Sequence, residues 1–198
     1  MGNILALIRC LPWPTLPSIP LMRNLARSRE GLATNAGHDK ARARLISQYA
    51  AMSTGFPIRL TKGTSNLVRS RERSGRPGLD VSGLDQVLTV DPVALTADVQ
   101  AMTTFERLVD ATLAHGLMPL VVPQLKTITI GGAVTGLGIE SSSFRNGLPH
   151  ESVREMEILT GAGEVLVTGP QVPHGDLFHA FPNSYGTLGY DLRLLLDL

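Results

Sequence analysis

Residues 122–151 read VPQLKTITIGGAVTGLGIESSSFRNGLPHE, with glycine at positions 131, 132, 136, 138 and 147 among small and hydroxylated side chains. Glycines at this density let a backbone approach a ligand with no Cβ in the way. The run Thr129-Ile-Gly-Gly-Ala is also suited to opening a short helix, whose free N–H groups favour a phosphate anion. Two common nucleotide motifs fail here. There is no GxxxxGK[ST], which removes a P-loop. Gly136-x-Gly138 lacks its third glycine, because position 141 is serine, so the dinucleotide fingerprint is incomplete. A competing reading is purely structural, since a chain with 20 Gly and 13 Pro makes many turns of no functional meaning.

Outward from this stretch, composition sets bounds. The 198 residues suit one domain of ordinary size, or one domain with a ragged end. Hydrophobic residues at 43 % and charged residues at 18 % supply a core and exclude wholesale disorder. A net charge of +1 removes the electrostatic argument for a nucleic-acid binder. The single cysteine, Cys10, cannot form an internal disulfide, which points to a reducing, cytoplasmic compartment. No residues are singled out as metal ligands.

Periodicity predicts a helix over residues 39–53 with Asp39 in its first turn, and a strand over Pro57–Thr61 that runs into the polar turn KGTSN. Arg69, Arg71, Arg73 and Arg76 follow, either as a solvated basic loop or as a loop near a phosphate-bearing ligand. Leu79–Ser82, Gln86–Val90 and Ala94–Val99 read as strands, with Asp91-Pro92 as a turn. Residues 103–115 read as a helix with a capping box of Thr103 and Glu106, an apolar face of Phe105, Leu108, Val109, Thr112 and Leu113, and Gly116 as its stop. Pro119–Val122 reads as a buried strand. Val153–Leu159 and Glu164–Thr168 read as a hairpin about Thr160-Gly161-Ala162-Gly163. Short strands outnumber helices, so the class is α+β.

The ends differ in character. Residues 4–22 are apolar but carry Arg9 and Pro12, Pro14, Pro17 and Pro20, which would break a spanning helix. No basic region precedes them, so a signal peptide fits poorly. The expectation is an irregular leader and linker over 1–37, with a peripheral membrane contact as the alternative and domain structure from His38 to residue 198. At the other end, in Tyr190–Leu198, Leu192, Leu194, Leu196 and Leu198 share one face, opposite Asp191, Arg193, Leu195 and Asp197. A strand with no turn after it is expected of a chain cut short.

The order of these parts carries a resemblance. A strand leading into KGTSNLVR (62–69), the glycine-rich 122–151, LTGAGEV (159–165) and DLFHAFPNSYGTLGY (176–190) together resemble the FAD-binding domain of the vanillyl-alcohol oxidase and p-cresol methylhydroxylase (PCMH-type) superfamily, and most of all its Δ24-sterol reductase branch. The resemblance covers roughly 38–198. It implies two small α/β subdomains, followed in whole family members by a substrate domain that has no counterpart here.

That resemblance further implies that Thr64, Ser65, Asn66 and Leu67 form a first diphosphate loop. It implies that Thr129, Ile130, Gly131, Gly132, Ala133, Val134, Thr135, Gly136, Leu137, Gly138, Ile139, Glu140 and Ser141 wrap the diphosphate and flavin. Lys62 stands at the rim, either adding charge or simply solvated. Many superfamily members attach flavin through a histidine, but 62–67 and 129–142 contain none, so FAD is expected to be held non-covalently. His150 either faces the flavin or anchors its loop. Asp191 departs from the pattern, standing where a small apolar residue is expected.

The implied activity is a flavin-dependent oxidoreductase in which NADPH reduces FAD and the flavin reduces a C=C bond of a small-molecule substrate such as a sterol or another lipid. Two other readings remain: an inactive remnant that binds flavin weakly or not at all, and an FAD-dependent alcohol or sugar oxidase. On this view, valine at Gly131 or Gly132 abolishes FAD retention at little cost to the apo fold.

Overall fold

The computed structural model describes residues 35–52, 58–62 and 78–198. Residues 1–34 of the expected leader 1–37, Thr64–Leu67 of the expected first diphosphate loop, and Arg69, Arg71, Arg73 and Arg76 lie outside these. Helix α1 (Asn35–Ala50) starts four residues before Asp39, so Asp39 falls in its second turn, not its first. Two short strands, β1 (Leu60–Thr61) and β2 (Leu79–Asp80), pair in parallel. Five more, β3 (Val87–Asp91), β4 (Thr96–Gln100), β5 (Val153–Thr160), β6 (Val165–Thr168) and β7 (Gly189–Asp197), form an antiparallel sheet in the order β3-β4-β7-β5-β6. The architecture is α+β. The last strand sits at its centre, between β4 and β5.

Alternation along the strands separates the two faces of this sheet. One face carries Ala97, Val99, Met156, Ile158, Leu194 and Leu196. Against it pack Phe105 and Leu108 of α2 (Phe105–Leu113), Ile130, Ala133 and Val134 of α3 (Ile130–Gly136), and Phe178 of α5 (Gly175–Ala180). The other face carries a polar row. Arg193 donates to both carboxylate oxygens of Asp98 at 2.7 and 2.9 Å. Next to it, Gln100 and Glu157 meet His38 of α1.

This last group pins α1 to the sheet. Gln100 accepts the Gln86 N–H through Oε1, so its Nε2 donates to His38 Nδ1 at 3.1 Å. That leaves His38 Nε2–H to donate to Glu157 at 3.2 Å. Burial alone would raise the Glu157 carboxyl, but the His38 hydrogen bond and the Arg42 charge offset it and hold it below the usual range. His38→Ala strands two buried polar groups and is expected to cost about 2 kcal/mol. A urea titration of parent and variant measures this, and an unchanged midpoint would count against the network.

Several local expectations change. The N-cap of α2 is Thr104, whose hydroxyl accepts the Arg107 N–H, while Thr103 is fully buried and donates to the Gln86 carbonyl at 2.9 Å. Glu106 pairs with Lys126 instead of closing a capping box. Leu113 lies at the rim, 53 % exposed. Pro119–Val122 is buried in part but forms no strand; the Leu120 carbonyl accepts from Ser142 and Asn146 side chains instead of a ladder. Two prolines, 119 and 123, remove the N–H groups a strand would need.

The largest change is in β7. Arg193 pairs with Glu157 but Asp191 pairs with Ile158, so Leu192 is an extra residue, a β-bulge. The bulge reverses the alternation. Leu194 and Leu196 join the α2/α3 core, whereas Leu192 packs with Leu45, Leu79, Val81, Leu84 and Leu159 in a second core under α1 and β2. Leu192 therefore does not share a face with Leu194 and Leu196, and Asp191 turns toward α3.

Candidate glycine-faced cofactor edge

Residues Thr129–Ser141 form one continuous edge, a short helix followed by a turn. Thr129 is the N-cap of α3 and its hydroxyl accepts the Gly132 N–H at 3.3 Å. Ile130, Gly131, Ala133 and Val134 are buried. Thr135 donates to the Gly131 carbonyl at 2.7 Å. Leu137 ends the helix in the left-handed conformation at φ 56°, its N–H returning to the Ala133 carbonyl. Gly138 then faces Pro149, and Glu140 N–H donates to Ser143. Ile139 and Ser141 stand exposed at the tip.

The first-turn amides of α3 are not free. Ile130 N–H donates to the Thr103 carbonyl and Gly131 N–H to the Ala101 carbonyl, both at 2.9 Å, and Gly132 N–H is taken by its own cap. These bonds dock the helix onto the chain just past β4, so the expectation of free N–H groups for an anion is corrected.

What α3 offers outward is bare backbone. Gly132 and Gly136, one turn apart, lie on one side. A Cβ at Gly136 would meet nothing within 4 Å, and one at Gly132 would meet only Thr129 Oγ1. Beside this strip the segment 183–185 clamps the end of α3: Asn183 N–H donates to the Val134 carbonyl at 3.4 Å and Tyr185 N–H to the Thr135 carbonyl at 3.1 Å. Asn183 and Tyr185 take φ of 61° and 51°. With Leu137, three non-glycine residues in the left-handed region gather at one helix end. Such conformations persist where the surroundings impose them, and they cluster at binding sites. Two buried polar atoms in the adjoining segments, Ser184 Oγ and His150 Nδ1, have no hydrogen-bond partner among the described residues. Ser184 was not among the candidate residues read from the sequence. No motif marks it; only its place in the NSYG run could have found it.

Asp191 lies on the inner side of the same helix. It is 2 % exposed, and its Oδ2 makes no hydrogen bond. Its carboxyl fills the place a side chain at Gly131 would need, with Cγ 2.8 Å and Oδ1 2.9 Å from the position of a Cβ there. Gly131 is thus a packing glycine, which corrects the expectation that valine would be tolerated by the apo fold. Burial pushes the Asp191 carboxyl up to about 7, against a hydrogen bond from its own backbone and the charge of Lys62. Lys62 immediately precedes residues 63–77, which lie outside the described residues.

The edge fits FAD. A strip without side chains admits a flat ring or a diphosphate to van der Waals contact, and the unsatisfied Ser184 and His150 atoms are hydrogen-bonding capacity left over by the fold. A family model described as "FAD binding domain" matches residues 41–169. The chain is 32 % identical over 111 residues to Delta(24)-sterol reductase of Pisum sativum, which covers 56 % of this chain and 20 % of that protein. It is 33 % identical over 121 residues to decaprenylphosphoryl-beta-D-ribose oxidase of Mycolicibacterium smegmatis, covering 61 % and 26 %. Over 162 residues it is 27 % identical to cytokinin dehydrogenase 5 of Arabidopsis thaliana, covering 79 % and 29 %. The chain therefore spans less than a third of the length of these relatives.

Proposed function

This chain belongs to the FAD binding domain family, and from that premise we propose that it is the cofactor-holding part of a flavin-dependent oxidoreductase, with its domain spanning 38–198 behind a leader of 1–37. The observation that carries the reading is the side-chain-free strip of Gly132 and Gly136, flanked by unsatisfied buried polar atoms. When bound, FAD supplies hydride acceptance and donation at its N5. The protein's part is to hold and orient. On this reading Thr129–Ser141 hold the diphosphate and flavin, Thr64–Leu67 contribute hydroxyl and amide groups to the diphosphate, and Lys62 adds a positive charge.

The reading extends to a Δ24-sterol-reductase-like reaction, with NADPH as electron donor and a sterol or another lipid as substrate. The identity to sterol reductases favours it. An oxidase of similar identity favours, as a second reading, an FAD-dependent oxidase acting on an alcohol or sugar. Among the described residues no helix is long and apolar enough to cross a membrane. Any membrane contact is assigned to the leader.

Without a histidine in 62–67 or 129–142, retention is by non-covalent contacts, so the expected result is a yellow purified protein whose flavin is released by acid. In a thermal-shift series, FAD should raise the melting temperature while NAD and ATP leave it unchanged. Stabilisation by ATP or NAD with no response to FAD would refute the assignment. Flavin that survives denaturing electrophoresis would refute non-covalent binding. Bleaching by NADPH, set against bleaching by an alcohol or sugar, separates the two reactions.

A further inference from the structure

We propose that Tyr185 is an aromatic platform for the cofactor, its ring stacking on one of the two flat ring systems of FAD at the end of the glycine strip. The inference rests on the cofactor edge just described and adds a residue to it.

Residues 184–187 read Ser-Tyr-Gly-Thr and make a tight turn. Thr187 N–H donates to the Ser184 carbonyl at 3.0 Å, and the Thr187 hydroxyl donates to the same oxygen at 2.7 Å. Both central residues have positive φ, 51° at Tyr185 and 81° at Gly186, the pattern of a type I′ turn. Glycine suits its place. The first central position favours asparagine, aspartate or glycine, because a larger side chain meets a steric cost in the left-handed region. Tyrosine is therefore a poor choice for the backbone it occupies.

Packing does not offset that cost. Tyr185 is 70 % exposed, so most of its surface stays open to water. A large aromatic residue held in a strained backbone, without burial in return, points to a partner outside the fold.

The turn also fixes where the ring stands. Tyr185 N–H donates to the Thr135 carbonyl at 3.1 Å, and the Thr135 hydroxyl donates to the Gly131 carbonyl at 2.7 Å. The next residue, Gly136, is the open end of the strip, where a Cβ would meet nothing within 4 Å. A rigidly anchored aromatic thus stands beside bare backbone. The backbone admits a flat group to close contact, and the ring offers it a face to stack on. A platform fixed before the ligand arrives loses little freedom on binding. FAD carries two such groups, adenine and isoalloxazine, and stacking is the chemistry they share.

The test measures three quantities on the full chain: FAD affinity by calorimetry, apo melting temperature, and flavin fluorescence of the saturated complex. Tyr185→Asn should weaken Kd about tenfold. The same variant should raise the apo melting temperature by about 2 °C, because asparagine suits the left-handed backbone. Tyr185→Phe keeps the ring and should bind FAD as the parent does. Fluorescence then identifies the partner, since a stacked tyrosine quenches flavin. A brighter complex in Tyr185→Asn assigns the contact to isoalloxazine, and one no brighter assigns it to adenine. Tyr185→Asn that binds FAD like the parent or melts below it would overturn the platform, leaving the cofactor edge intact. So would Tyr185→Phe that loses as much affinity as Tyr185→Asn. A parent that binds no FAD at all would overturn the edge and the platform together.

Discussion

Gly131→Val is expected to unfold the protein or lower its apo melting temperature by roughly 10 °C, before any cofactor is considered. A Cβ there would collide with the carboxyl of Asp191, a buried residue on a central strand. Relief requires shifting α3 off the sheet, against its N–H bonds to Thr103 and Ala101, or forcing the carboxyl into the apolar core. Overpacking of this kind, added to a displaced buried polar group, costs on the order of 3 kcal/mol or more. Gly132→Val is the control. That position is exposed, an added Cβ meets only Thr129 Oγ1, and disturbing the cap costs about 1 kcal/mol. Flavin loss in Gly132→Val with a near-parental melting temperature would then report on the site and not on the fold. The collision has its own signature: Gly131→Ala should be partly rescued by Asp191→Ala, with a coupling of at least about 1 kcal/mol. A Gly131→Val protein that melts with the parent would overturn this packing.

The second large effect is in Asp191 itself. Its carboxyl sits at about 7 in the fold against 3.8 as the ordinary value, a difference of about three units. The folded state therefore holds the proton more tightly than the unfolded chain. Stability is lost as pH rises from about 4 through about 7 and then stays constant, the reverse of a salt-bridged aspartate. At 1.36 kcal/mol per unit, the full penalty is on the order of 4 kcal/mol. Asp191→Asn removes the charge while keeping the shape. It should be more stable than the parent by that order at pH 8, with the difference vanishing near pH 4. Denaturant midpoints at the two values measure it. The comparison must be between parent and variant, because Glu157, Asp80 and Asp91 are held below their usual range and lose stability on acidification. An equal gain at both pH values would mean that shape, not charge, is responsible.

The reading of residues 129–138 as a short glycine-rich helix rests on signals that are local. Thr129 three residues before Gly132 is a cap, glycines one turn apart share a side, and hydroxyl-rich spacing does not depend on distant chain. The same held for the β5–β6 hairpin and for Leu194 and Leu196 on one face of β7. What could not be read locally was decided by partners far away in sequence. Thr103 and Thr104 are equivalent as caps until the Gln86 carbonyl claims one of them. The N–H groups of Ile130 and Gly131 look free until carbonyls 103 and 101 arrive at the end of β4. A strand that ends the chain gives no sign that it belongs between β4 and β5. A bulge exists only relative to a neighbouring strand, so the reversal at Leu192 is invisible in YDLRLLLDL. The sequence by itself determined the α+β class and the short glycine-rich helix that opens at Thr129. Tertiary pairing decided which face each side chain of β7 occupies, and so moved Asp191 from the face of Arg193 to that of Ile158, as a buried acid beneath Gly131.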